Sequence, residues 1–234
     1  MTLSPPKALK RGIRFAATGS VREKVRVAAI VAALLTMSAG SGSGQSAGKP
    51  SAPTQAASAT QEQIEGTLHV CSSCHGFGGR SISPTFPRLA GQRAEYIETQ
   101  LKAFRDHTRA DPHAHTYMWG MAAHLSDPLI HGIAGYYAAQ PPVPGTPGEP
   151  AEMAAGKKIF QEGISGVPPC QSCHGEHAEG MGTIPRLAGQ HPEYLMEQLQ
   201  NFASNARANE IMHANSKPLT ADEIHQVTAY IAAQ

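Results

Sequence analysis

The chain has only four cysteines, and all four fall in two copies of one pattern: Cys71-Ser-Ser-Cys74-His75-Gly76 and Cys170-Gln-Ser-Cys173-His174-Gly175, 99 residues apart. The similarity extends well past the cysteines. Pro87-Arg88-Leu89-Ala90-Gly91-Gln92 recurs as Pro185-Arg186-Leu187-Ala188-Gly189-Gln190 at an offset of 98, and the same offset pairs Tyr96, Leu101, Phe104 and Arg109 with Tyr194, Leu199, Phe202 and Arg207. Met118, Leu125, Tyr136 and Gln140 then pair with Met212, Leu219, Tyr230 and Gln234 at an offset of 94, so the second copy lacks four residues between Arg207 and Met212. Blocks that recur in one order at a nearly constant interval mark a duplicated structural unit. Between the copies, residues 141–150 hold five prolines, too many for a helix or a central strand, and read as a semi-rigid linker.

Each copy reads as short helices joined by turns. Ile97, Leu101 and Phe104, like Leu195, Leu199 and Phe202, follow the i, i+4, i+7 spacing of one apolar helical face. The last helix of copy two opens with Thr220-Ala-Asp-Glu223, a capping box, and continues through Ile224, Val227 and Ile231; its counterpart starts at Ser126 with Pro128 in the first turn. A helix over Glu152–Gln161 is expected before Cys170, and a weaker match over Thr60–Val70 before Cys71. Aromatics make up 6% of the chain, while Gly (23) and Pro (18) are abundant, which argues against an aromatic-rich sandwich and for a helical, loop-heavy fold. Domains of about 90 residues with so few large apolar side chains bury a thin core, so a large hydrophobic cofactor is expected to fill it.

Cys-x-x-Cys-His is the attachment signature of c-type haem: the thiols reach two vinyl groups of one porphyrin, and the adjacent imidazole lies under the iron. A redox dithiol would need a βαβ context that is missing, a zinc site would bring its cysteine pairs closer together, and a disulfide framework would leave the paired histidines without a reason. His75 and His174 are therefore the expected proximal iron ligands, with Cys71, Cys74, Cys170 and Cys173 as the thioether positions. For the opposite face of the iron the repeat nominates Met118 and Met212, each seven residues before the Leu that starts the last helix. A soft thioether opposite imidazole suits a high-potential haem. Met121 is the alternative in copy one, and His113, His115 or His213 would give bis-His ligation and a lower potential. Pro87 and Pro185 are placed to offer a carbonyl to the imidazole Nδ1–H, and Arg88 and Arg186 either pair with haem propionates or face solvent. The other histidines have no match between copies, and surface or capping roles suffice for them.

Charge is unevenly spread. Residues 1–46 hold seven basic residues and one acid, leaving 12 basic against 17 acidic beyond them. A basic stretch, the 11-residue segment 27–37 (apolar but for Thr36) and then small residues form the pattern of a secretory signal and spacer. Export agrees with c-type haem, which is attached outside the cytoplasmic membrane. No apolar run reaches the roughly 18 residues that span a bilayer, and an acidic mature chain is no basic nucleic-acid binder. Residues 47–147 are balanced at seven basic and seven acidic, whereas 148–234 carry five basic and ten acidic, a polarity that would orient a docking partner.

The two haem motifs, the PRLAGQ blocks, the YxxxQLxxF helices and the closing AYYAAQ and AYIAAQ together resemble the cytochrome c4 family over residues 60–234. The resemblance implies an all-α chain of two tandem class I cytochrome c domains, each wrapped around one covalently bound haem c. Residues 1–46 would be signal peptide and spacer, 60–140 the N-terminal domain, 141–150 the linker and 151–234 the C-terminal domain. It also implies a periplasmic electron carrier, often membrane-associated, that links a quinol-oxidising complex to a terminal oxidase or similar acceptor. In the competing role such a module is the electron-accepting subunit of a dehydrogenase acting on sulfur compounds or alcohols. Catalysis at haem is disfavoured because it needs a labile axial position, and both copies offer a methionine there.

Overall fold

The computed structural model describes residues 58–234; the expected signal peptide lies outside the described residues. Among these the chain is helical, without a β-strand, and carries two isolated bridges, Ile164 with Val167 and Met181 with Ile184. In copy one, helix α1 (Gln61–His75) starts at a capping box, where Thr60 Oγ1 accepts from Gln63 N and the Gln63 side chain accepts from Thr60 N. It runs unbroken into the Cys-x-x-Cys-His motif and ends at Gly76, whose φ of 74° turns the chain away. The π-helical turn Ala114–Met118 and the short α3 (Trp119–Ala122) lie between α2 (Ala94–Arg105) and α4 (Asp127–Ala138).

Copy two begins with α5 (Pro150–Glu162), then the short α6 (Gln171–His174) that carries its motif, α7 (Pro192–Ala203), α8 (Glu210–Ser216) and α9 (Ala221–Ala232). The Thr220–Glu223 capping box is present at α9. The first helices of the two copies thus differ. Gly163 (φ 75°), Gly166 (φ 83°) and the Pro168-Pro169 pair halt α5 before Cys170, whereas nothing between 61 and 75 stops α1, which therefore extends past the expected end at Val70.

In both copies the first helix packs on the last, and a glycine permits the contact. A Cβ on Gly156 of α5 would strike the carbonyl of Gln226 in α9, while a Cβ on Gly132 of α4 would meet Ile64 Cδ1 of α1 at 2.5 Å. Gln226 is the repeat counterpart of Gly132. The small residue has changed helices between copies, so each crossing stays close although α1 carries no glycine in contact with α4. Around these crossings lie Ile97, Ile133, Ala134 and Tyr137 in copy one and Ile159, Phe160, Leu195, Val227 and Ile231 in copy two. The helices α2 and α7 bury Ile97 and Leu195 at matching positions.

The proline-rich segment lies against both copies. Arg80 Nη1 donates to the Pro141 carbonyl at 2.9 Å. Gly91 (φ 68°) and Gly189 (φ 70°), the equivalent glycines of the two PRLAGQ blocks, leave room for Pro142 and for the Val143 carbonyl. A side chain at either would be strained by the backbone and would displace the linker.

Candidate functional site

In each copy the motif histidine is buried and its ring is pinned. His75 Nδ1 donates to the Pro87 carbonyl at 2.9 Å, and His174 Nδ1 donates to the Pro185 carbonyl at 3.2 Å. A carbonyl can only accept, so the bond fixes the Nδ1–H tautomer and leaves the Nε2 lone pair free for a metal. Burial lowers the pKa of both imidazoles against the opposing effect of that bond, favouring the neutral ring that ligation requires. Phe86 meets His75 edge-on, with ring centroids 6.1 Å apart.

The cysteines lie one helical turn apart beside these rings and form no disulfide; Cys71 and Cys170 are half-buried, Cys74 and Cys173 exposed. Burial raises the thiol pKa of Cys71 and carries that of Cys170 up to about 11. Among the described residues, neither pair faces the other across the structure as a shared metal site would require, and each lies beside a pinned histidine, the arrangement that covalent haem attachment uses.

Each pinned histidine opens on a mainly apolar cavity that one methionine also lines. The first cavity, partly open to solvent, has about 1050 Å³ of empty space and its wall includes Cys71, His75, Leu101 and Met118; the second, also partly open, has about 1680 Å³ and includes Cys173, His174, Leu199 and Met212. Of the alternatives in copy one, Met121 is 58% exposed and outside the cavity wall, and His115 is exposed. His113 does line the cavity, but its Nδ1 lies 3.0 Å from Glu197 of the other copy. In copy two, His213 Nδ1 donates to the Phe202 carbonyl at 2.8 Å and takes no part in the cavity wall. Arg186 reaches the first cavity with its Nε buried and without a partner, as a position awaiting an anion would be. Cavity size, donor set and the unpaired guanidinium nitrogen all fit a porphyrin carrying propionates.

Between the cavities lies a polar septum built twice over. Gln92 Oε1 accepts from Arg186 N at 2.8 Å and its Nε2 donates to Arg186 O at 2.9 Å. Gln190 makes the mirror pair with Arg88, at 2.8 and 3.0 Å. Deeper in, Arg109 donates to Gln100 Oε1 of its own copy and to Gln198 Oε1 of the other, while Arg207 donates to Gln198 Oε1 and Gln100 Oε1. Arg207 also reaches the Tyr96 hydroxyl at 2.9 Å. Each guanidinium sits over its own copy's phenylalanine, Phe104 at 4.7 Å and Phe202 at 4.6 Å. Burial works against the charge of Arg109, yet Tyr194, Tyr96 and Asp111 raise its pKa well above the ordinary arginine value.

Sequence reasoning missed this septum. The signal was available: polar residues such as Gln92 and Arg109 recur in register in both copies without any need for them at the haem. Two sequence readings also change. Arg88 turns its guanidinium to the Gly189 carbonyl at 2.6 Å and the Ser81 carbonyl at 3.4 Å, so it does not simply face solvent. His191, expected at the surface, is buried and bonds the Ser81 carbonyl of the other copy at 3.0 Å.

The site and fold define a c-type cytochrome with one haem c covalently bound in each of two domains. The cytochrome c family model matches the chain twice, at residues 62–136 and 153–234. Cytochrome c-552 of Acidithiobacillus ferridurans is 40% identical over 167 residues, covering 70% of this chain and 73% of that protein. The solved structure of Acidithiobacillus ferrooxidans cytochrome c4 superposes with a TM-score of 0.67 at 40% identity, covering 70% of this chain and 98% of the other. A protein of Stutzerimonas stutzeri named thiosulfate dehydrogenase electron acceptor is 31% identical, covering 74% of this chain and 82% of its own length. The chain belongs to the cytochrome c4 family. Its role is accordingly electron transfer between redox proteins.

Proposed function

We propose that the chain is a periplasmic electron carrier of a respiratory chain, its first haem held by Cys71, Cys74, His75 and Met118 and its second by Cys170, Cys173, His174 and Met212. The observation that carries this reading is the shared cavity: in each copy a buried imidazole with a free Nε2 and one methionine line the same apolar space. The haem supplies a one-electron iron couple. The protein supplies the rest. The Pro87 and Pro185 carbonyls orient the imidazoles and raise their basicity, the apolar walls keep water from the iron, and Arg186 neutralises a propionate. The domains run from 60 to 140 and from 151 to 234, joined by the linker at 141–150, and the segment 1–46 directs export. Among the described residues no helix is long and apolar enough to cross a membrane, so any membrane association would have to be peripheral or lie outside them.

A second reading draws on the thiosulfate dehydrogenase electron acceptor among the relatives. In it the same two-haem chain takes electrons from a dehydrogenase that acts on a sulfur compound, and co-purification with such an enzyme would favour it. Ligation is tested first. Met118→Ala and Met212→Ala, each made in the full holoprotein, are expected to keep the haem attached while abolishing the long-wavelength charge-transfer band of methionine-ligated iron at that site. A spectrum unchanged in Met118→Ala would assign the ligand to another residue.

A further inference from the structure

The residue after each axial methionine is a ring with an N–H to give. At the offset of 94 that pairs Met118 with Met212, Trp119 answers His213. Trp119 Nε1 donates to the Arg109 carbonyl at 2.8 Å, and His213 Nδ1 donates to the Phe202 carbonyl at 2.8 Å. The two acceptors are not repeat counterparts, since Arg109 matches Arg207 and Phe202 matches Phe104. The four residues that copy two lacks fall between its arginine and its methionine, so the shorter segment ties back to the end of α7 instead. A different ring on a different carbonyl thus makes the same kind of tie in each copy. Neither ring takes part in the wall of either haem cavity.

Further contacts hold the same segments. Asn209 Oδ1 accepts from Met212 N at 2.9 Å where α8 begins. The Trp119 main-chain N–H closes the π-helical turn onto the Ala114 carbonyl. Its indole is stacked on His107, with ring centroids 4.1 Å apart, and meets His115 edge-on at 4.5 Å. Trp119 and His213 are both half-buried. A methionine side chain is unbranched, with three rotatable bonds, so its hold on an iron depends on how narrowly the backbone beside it is confined. An incoming ligand competes with that hold, and its apparent affinity rises with the fraction of molecules in which the sulfur has left the iron.

We propose that Trp119 and His213 are positioning residues that keep Met118 and Met212 on their irons, each through its ring N–H bond to a main-chain carbonyl. This rests on the axial-ligand reading given under the proposed function. Loss of the tie makes the methionine easier to displace by an external nitrogen base. The displacement exchanges an Fe–S bond for an Fe–N bond, with no electron gained or lost.

The test titrates imidazole into the oxidised full holoprotein and follows the shifted methyl signal of each axial methionine, with Met118→Ala and Met212→Ala assigning the two signals. In His213→Leu, imidazole should displace Met212 at about 2- to 12-fold lower concentration, the range that loss of one neutral hydrogen bond supports, while Met118 keeps its wild-type midpoint. His213→Asn, which places an amide N–H where Nδ1–H stood, should restore the wild-type midpoint. Trp119→Phe, which keeps an aromatic ring and removes the N–H, should give the mirror result, loosening Met118 alone. A midpoint unchanged in His213→Leu or in Trp119→Phe, equal shifts at both methionines, or a His213→Asn variant as labile as His213→Leu would overturn the proposal. Should Trp119→Phe fail to fold, the two His213 variants decide the matter. Absence of the methionine signals in wild type would overturn the axial-ligand reading, and this proposal with it.

Discussion

Gln92 and Gln190 show how much a single side chain does here. Each uses both ends of its amide to satisfy the main-chain N–H and carbonyl of an arginine in the other domain. Truncation to Ala would leave both groups unpaired in a half-buried position, at about 1–3 kcal/mol. That cost falls on domain docking, so proteolysis within 141–149 should accelerate by about 5- to 150-fold in Gln92→Ala or Gln190→Ala. A cleavage rate equal to wild type would mean the amides do not hold the domains. At this scale the sequence was legible where a residue type has one chemistry. The cysteines and histidines announced the haem through spacing alone, whereas glutamine has many uses, and only its return in both copies hinted at a role. Asp111 was less visible still, since its role as the ion-pair partner of Arg109 depends on a burial that the sequence does not display.

At the scale of elements, periodicity and capping located most helices. The apolar stripes of α2 and α7 and the capping box of α9 are where the spacing places them. The boundary of α1 was harder. An end at Val70 was expected from the weaker match with copy two, but a helix ends where something breaks it: the prolines that follow α5 have no equivalent before Cys71, and Gly66 stays helical where Gly163 and Gly166 take positive φ. The glycine that lets first and last helices meet was likewise hidden, because each copy places it on a different helix and a repeat comparison aligns it with Gln226. PRLAGQ turned out to be dense with contacts. Pro87 holds His75 and Gln92 grips Arg186, while Gly91 admits the linker.

Over the whole molecule, the buried septum and the exposed charge serve different ends. Arg109, Arg207 and their glutamines join two domains across a largely buried interface, whereas the acidic surface of the C-terminal half would steer a partner with a basic face. Glu176 and Glu193 are exposed members of that surface, whereas Glu197 faces His113 across the domain boundary. Reversing Glu176 and Glu193 to Lys should slow electron transfer with such a partner and flatten its dependence on ionic strength; stopped-flow rates that keep their magnitude and salt slope would end the steering account.

The two-domain account itself stands on both Cys-x-x-Cys-His motifs carrying a covalently attached haem. A pyridine haemochrome assay of the purified full-length protein after acid-acetone extraction counts attached haem per chain directly. Two haems retained per chain are expected; one haem, or a haem that extracts, would contradict the account.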